Sequence, residues 1–421
     1  MWETLRNAWR VEDLRKKLLY TFLMLILFRL VGVIPAPGVN FQAVSAAKNV
    51  ATLPLLDLVN MMTGNAFTNM TIMAMGITPY INSSIIMQLL TIAIPALERL
   101  QKEGEEGRKK IAQITRYVTV GLAVLQAVFL VAGLGYIKPG WFNYVLVGIS
   151  MAGGSALAMW IGERITEKGV GNGTSLLIFA GIVNNLFSGA ITGVQTALVS
   201  GTAGSWLSVL AVFLAAAVMI TLVTFVDMGE RRIPVQYAKR VVGRKMYGGQ
   251  STHIPMKVNS TGVLPLIFAY SFMAFPGTII QLVGGKDSGV AAWWAANMGS
   301  SSPAHLIITA LLIIAFTYFY TSISFNPQDI SKNIQQQGGL IPGIRSGKAT
   351  VDFLSRTSSR LTLFGALFLA ILATIPTILT VNLNAQVPYA ASSLLIAVSV
   401  ALETTRQMES QLIMRHYKGF L

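Results

Sequence analysis

The sequence predicts an all-α polytopic membrane protein, with ten transmembrane helices in two inverted halves of five and a short re-entrant helix. Three observations carry that prediction. Hydrophobic residues make up 53% of the 421 positions and charged residues only 12%, about half the charged share of a typical soluble domain. Long apolar runs recur between short charged stretches, whereas a string of soluble domains would need charge spread over every surface. Lysine and arginine also fall on alternate segments between the runs, as the positive-inside rule requires of a multi-pass chain.

Residues 1–17 form a basic leading segment with five Lys or Arg. The first run, Leu18 to Ile34, follows it. Basic residues before an apolar stretch can mark a cleaved leader, but this run has no small-x-small cleavage site and ends in Ile34-Pro35-Ala36-Pro37-Gly38, so it is read as a span. Arg29 lies inside it, able either to snorkel to an interface or to pair with a neighbouring helix. Next come residues 53–69, where an apolar stretch near Leu53 to Met62 is too short to cross and is broken by Asp57, Asn60, Gly64 and Asn65. It reads as a helix dipping into the membrane from outside or as an exterior surface loop.

Seven further runs are long enough to span: Met70 to Ile94, Tyr117 to Leu134, Tyr144 to Ile161, Trp206 to Val226, Val263 to Val283, Leu306 to Phe325 and Leu361 to Leu379. Two shorter runs, Thr174 to Phe187 and Tyr389 to Leu402, contain Gly, Ser or Asn and need neighbouring helices around them. They are the fifth and the tenth. Interrupted spans at matching places in two halves, 18–190 and 191–404, point to an inverted repeat with its working site between the halves. Of the 32 Lys and Arg, 28 fall on alternate segments and only Lys48, Lys138 and Lys286 on the opposite ones. Both termini, including the tail 405–421, are therefore expected in the cytoplasm.

Residues suited to catalysis are scarce. There is no cysteine, hence no disulfide, thiolate nucleophile or cysteine-bound metal. No HExxH or phosphate-binding GxxxxGK[ST] occurs, since Gly347-Lys348 is followed by Ala349. His253, His305 and His416 form no spaced pair, so neither a metal nor a cofactor is expected, nor an enzyme. Gly169-Val170-Gly171-Asn172-Gly173 has no strand before it and reads as a tight turn capping the fifth span. Asn82 and Gln126, polar residues in the second and third spans, should face other helices or a cavity.

The loops 227–262 and 326–360 carry the remaining signal. Arg231, Arg232, Lys239, Arg240, Arg244 and Lys245 lie within fifteen residues, and Arg345 sits in a Gly-Gly-Leu-Ile-Pro-Gly-Ile-Arg turn. Such loops project beyond lipid headgroups and suit docking of a macromolecule, although polybasic segments also serve as plain orientation signals.

Seven motifs in one order carry a family resemblance: Ile34-Pro35-Ala36-Pro37-Gly38, Gly76-Ile77-Thr78-Pro79-Tyr80-Ile81, Gly104-Glu105-Glu106-Gly107-Arg108-Lys109-Lys110-Ile111, Gly162-Glu163-Arg164-Ile165-Thr166-Glu167, Gly171-Asn172-Gly173, Gln250-Ser251-Thr252-His253-Ile254-Pro255 and Ile341-Pro342-Gly343-Ile344-Arg345. Over essentially its whole length the chain resembles the bacterial SecY family, the channel subunits of the Sec protein-translocation complex. The resemblance implies a clamshell of two five-helix halves around an hourglass pore. It implies a pore ring of Ile77, Ile81, Ile178, Ile267 and Ile396, a plug that includes Leu55, Leu56, Asp57, Leu58, Asn60, Met61, Gly64 and Asn65, and a lateral gate with Asn82, Gln126 and Ser271. Docking of a motor or ribosome falls on Arg232, Lys239, Arg240, Arg244, Lys245 and Arg345. Thr78 stands where the family usually has methionine, and Ile334-Gln335-Gln336-Gln337 lacks lysines common in that loop.

Implied partners are SecE and SecG homologues, the SecA ATPase, the ribosome with its RNA and proteins, secretory precursors, nascent membrane-protein chains and membrane lipids. The implied location is the bacterial plasma membrane. Two function classes follow: a passive protein-conducting channel driven by a partner, and a small-solute transporter built on the inverted repeat. Ionisable residues inside the spans would support the transporter, and only Arg29 lies well inside one.

Overall fold

A computed structural model describes the chain apart from residues 1–5, 7, 41, 43, 45–59, 61–62, 134–136, 202, 238–239, 243–244, 248–250, 285–288, 290–292, 295–296, 300–301, 383–390 and 419–421. Helices dominate, in the order α1 (Glu12–Val31), α2 (Thr78–Ala93), α3 (Pro95–Lys102), α4 (Glu105–Gly133), α5 (Trp141–Lys168), α6 (Gly173–Ser200) and α7 (Ala203–Asp227). Strands β1 (Glu230–Tyr237), β2 (Arg240–Val242), β3 (Lys245–Tyr247) and β4 (Ser251–Lys257) intervene. Then come α8 (Leu264–Gly284), α9 (Pro303–Ser324), α10 (Pro327–Gln336), β5 (Gly339–Leu340), α11 (Lys348–Asn382) and α12 (Ala391–Lys418). The ten expected spans correspond to α1, α2, α4, α5, α6, α7, α8, α9, α11 and α12.

Local chemistry sets the helix ends. Asn172 caps α6 by accepting hydrogen bonds from the amides of Thr174 and Ser175, at 3.1 and 3.4 Å. The expected cap at 169–173 is thus present. Gly173 has a packing reason as well: a Cβ there would overlap the Gly162 carbonyl of α5. Pro95, whose nitrogen has no hydrogen to donate, opens α3 after a 100° bend from α2. The second span starts later than its apolar run, because Met70 and Gly76 adopt φ of 47° and 51°, and helix begins only at Thr78-Pro79.

The fifth span is longer than its apolar run, continuing past Phe187 to Ser200, and the helix of the tenth span runs on through the charged tail to Lys418. In α6 the polar Asn184 and Asn185 have hydrogen-bond partners beside the helix, so they do not end it.

The two large basic loops contain strands. β4-β1-β5 is an antiparallel sheet in which Ile233 faces Ile254 and Gln236 faces Leu340, and β2 pairs with β3 as a hairpin. Loops 227–262 and 326–360 are thereby joined. Ile233, Val235, Met256, Ile334, Ile341 and Leu354 form the core beneath the sheet.

Contacts between distant segments mark one end of the bundle. Lys17 donates to Gln411 at 3.4 Å, the Val170 amide to the Thr21 hydroxyl at 3.0 Å, and Arg116 pairs with Glu163 at 2.8 Å. At the other end, Pro35 bridges Thr71 and Val39 bridges Ile137.

Candidate functional site

The five isoleucines come from four helices. Ile77 is the N-cap of α2 and Ile81 lies one turn further, while Ile178, Ile267 and Ile396 lie in the first two turns of α6, α8 and α12. All five are buried, with exposures of 4%, 5%, 1%, 5% and 2%, in one apolar cluster. Their β-branched side chains are stiff and hold no hydrogen-bonding atom. Such a cluster excludes water and ions and offers a passing ligand nothing specific to bind.

Around it, α8 packs against α2, α4 and α9. Asn82 on α2 is half-buried, Ser271 on α8 is buried, and the Gln126 Oε1 atom on α4 is buried with no hydrogen-bond partner among the described residues. No hydrogen bond joins these three side chains among the described residues. Gln88 of α2, not singled out in the sequence, donates to the Ser84 hydroxyl one turn back along the same helix at 3.3 Å. A lone glutamine in an apolar run was the available signal, the same one that singled out Gln126. Edge-to-face rings hold α8 to α9, with Phe268 5.4 Å from Tyr320 and 6.1 Å from Phe316.

Of the segment expected to dip into the membrane, Leu55, Leu56, Asp57, Leu58 and Met61 lie outside the described residues. Asn60, Gly64 and Asn65 form a tight turn in which Gly64 and Asn65 have φ of 64° and 69°. The Asn60 side chain donates to Asn65 Oδ1 and accepts from the Thr68 amide, both at 3.1 Å. From α6, Asn185 donates to the Asn60 carbonyl at 3.1 Å and Asn184 to the Gly64 carbonyl at 3.2 Å. Arg29 of α1 donates to the Ala180 carbonyl at 2.7 Å and to the Gly64 carbonyl at 3.5 Å, so it pairs with neighbours and does not snorkel.

At the basic end, Arg232 is exposed on β1 and paired with Glu230 at 2.7 Å, and Arg345 is exposed just beyond β5. Arg240 and Lys245 belong to the β2–β3 hairpin, while Lys239 and Arg244 lie outside the described residues. No cluster of three or more potential metal ligands occurs among the described residues.

A sequence model of the SecY family matches residues 71–405. The chain is 43% identical over 434 aligned residues to the protein translocase subunit SecY of Streptomyces scabiei, covering 99% of this chain and 98% of that one. A solved structure described as that of a protein conducting channel shares its fold, with a TM-score of 0.70 and 21% identity over 94% of this chain and 92% of the other. Sec61 in the canine ribosome-channel complex from the endoplasmic reticulum shares it too, with a TM-score of 0.65 and 19% identity over 94% and 92% of the two chains.

Proposed function

The chain belongs to the SecY family, and from that premise we propose that it is the pore subunit of a protein translocase, passing unfolded polypeptides across a bacterial plasma membrane and releasing apolar segments sideways into it. One observation carries the reading: the five isoleucines, on α2, α6, α8 and α12, are all buried and all belong to the one large apolar cluster of the bundle. A translocation pore must close around any sequence without binding it and must stay dry when idle. Stiff apolar side chains meet both demands, whereas selective ligands would defeat the first.

Sideways release fits the seam where α2 and α4 meet α8 and α9. The Gln126 Oε1 atom lacks a partner there among the described residues, and the edge-to-face rings of Phe268 and Tyr320 hold α8 to α9 beside it. Asn82, Gln126 and Ser271 would line that exit, and residues 53–69 would plug the idle pore. The driving force would come from a partner, the SecA ATPase or a ribosome, bound at the joined sheet near Arg232 and Arg345, with SecE and SecG homologues completing the complex. The lysine and arginine bias supports a cytoplasmic location for that sheet and both termini. The likeness to a ribosome-bound Sec61 supports the ribosome as one such partner.

Reconstitution into vesicles with candidate partner subunits and motor tests the whole reading. ATP-dependent uptake of a secretory precursor is the expected result. Uptake of small solutes in place of the precursor would rule it out.

A further inference from the structure

Among the described residues Asp227 is the one buried carboxylate, 7% exposed, and it belongs to neither the isoleucine cluster nor the basic surface. It ends α7. Its carboxylate accepts from Asn259, in the link between β4 and α8, and from Ser399 on α12, at 2.8 and 2.7 Å. Its backbone carbonyl accepts from Arg406, two turns further along α12. The stems of the sheet close beside it, where the Val258 amide donates to the Gly229 carbonyl at 3.0 Å. Gly365 brings α11 to the same place, since a Cβ there would meet the Val258 carbonyl at 2.8 Å. Spans α7, α11 and α12 and the link into α8 are thereby gathered at one point. Two of these helices carry the second half's share of the cluster: Ile396 lies one turn before Ser399 on α12, and Ile267 lies in the first turns of α8.

We propose that Asp227 is a positioning residue for the constriction: it fixes α12 and the start of α8 to one point and so sets where Ile267 and Ile396 meet Ile77, Ile81 and Ile178 of the first half. The inference rests on the reading of the isoleucine cluster as the constriction. Apolar contact has no direction, whereas the bonds at Ser399 and Arg406 do, so they hold the register of α12 where packing alone holds it weakly. Register matters here. A slip of one residue would turn Ile396 by about 100° about the helix axis, out of the cluster. A carboxylate suits the position because its two oxygens accept at once from two segments, through charge-assisted bonds that strengthen where water is scarce.

The test is ionic conductance of the idle, fully assembled complex in planar bilayers. Ser399→Ala, which loosens α12 alone, should raise it about tenfold, the shift in a closed-to-open equilibrium that follows loss of a bond to a charged acceptor. Asp227→Ala should leak at least as much, and Ser399→Ala decides the matter if Asp227→Ala fails to assemble. Asp227→Asn should stay near the parent, because its amide oxygen accepts from Asn259 and its amide nitrogen donates to the Ser399 hydroxyl. Two polar backgrounds separate positioning from a general loss of stability. In an Ile396→Asn channel, where the side chain to be positioned is already one that water can bond, Ser399→Ala should add nothing. In an Ile178→Asn channel it should add its full factor, because Ile178 lies on α6, outside the knot. Equal factors in the two backgrounds, or a tight Ser399→Ala channel, would overturn the positioning role and leave the constriction standing. If the Ile396→Asn and Ile178→Asn channels were both as tight as the parent, the constriction reading would fail and the positioning role with it.

Discussion

The Ser399 hydroxyl on α12 donates to the Asp227 carboxylate at the end of α7 across 2.7 Å, although 172 residues separate them. Asn259, between β4 and α8, donates to the other oxygen at 2.8 Å, and Arg406 of α12 donates to the Asp227 backbone carbonyl. One buried acid thus ties three segments at the foot of the joined sheet. Ser399 lies one turn from Ile396, so the knot also locates a helix of the isoleucine cluster.

Removing the acid leaves two buried donors unpaired. Asp227→Ala should destabilise the folded chain by about 2–3 kcal/mol, and Ser399→Ala by about 1.5 kcal/mol. The unfolding midpoint of the detergent-solubilised protein is the measurement. Asn259→Ala and Ser399→Ala hold the same carboxylate, so their effects should be non-additive. Strict additivity would show that they act separately.

At the turn into α6, Asn172→Ala removes the cap that serves Thr174 and Ser175 and should cost about 1 kcal/mol. Asn172→Asp keeps an acceptor at the positive end of the helix and should be near neutral. Gly173→Ala should cost more than either, because the new methyl meets the Gly162 carbonyl of α5. Thermal unfolding orders the three variants, and a harmless Gly173→Ala would refute the close approach of α5 and α6.

Span number and order were legible because hydropathy and charge alternation survive without any tertiary contact. Span ends were less so. Asn184 and Asn185 look like helix breakers in lipid, but the carbonyls of Gly64 and Asn60 accept their protons, and backbone carbonyls carry no sequence signature. The partner of Arg29 was hidden for the same reason. In β1, Ile233 and Val235 alternate inward with a strand's period, but the stretch was read only for its basic residues. Pro234 is tolerated among paired strands. The isoleucine set was identified through resemblance, since isoleucines within apolar spans are otherwise indistinguishable from lipid-facing ones.

Arg345 should matter for docking, not for folding. It is exposed beside β5, which joins it to the loop of Arg232. Arg345→Glu should lower precursor uptake while the subunits still assemble. Ribosome binding, resting on a polyanionic RNA, should weaken as salt rises, while motor binding also draws on apolar contacts. Uptake equal to the parent's in the Arg345→Glu complex counts decisively against this surface.

Ile81 and Ile267 test whether the cluster seals by apolar bulk. Ile→Val or Ile→Leu at either position keeps the surface apolar and nearly keeps its volume, so precursor transport and membrane tightness should survive at a cost of about 1 kcal/mol. Changing both to asparagine is different in kind. Two amides inside the cluster supply the hydrogen bonds that isoleucine denies to water, so the constriction should wet and the closed state should lose stability relative to the open one. The idle channel should then conduct ions and admit precursors with defective signal sequences. Single-channel recording compares the double variant with the parent. A tight double variant, with leak appearing only on substitution elsewhere among the helices, would place the constriction at another set of residues.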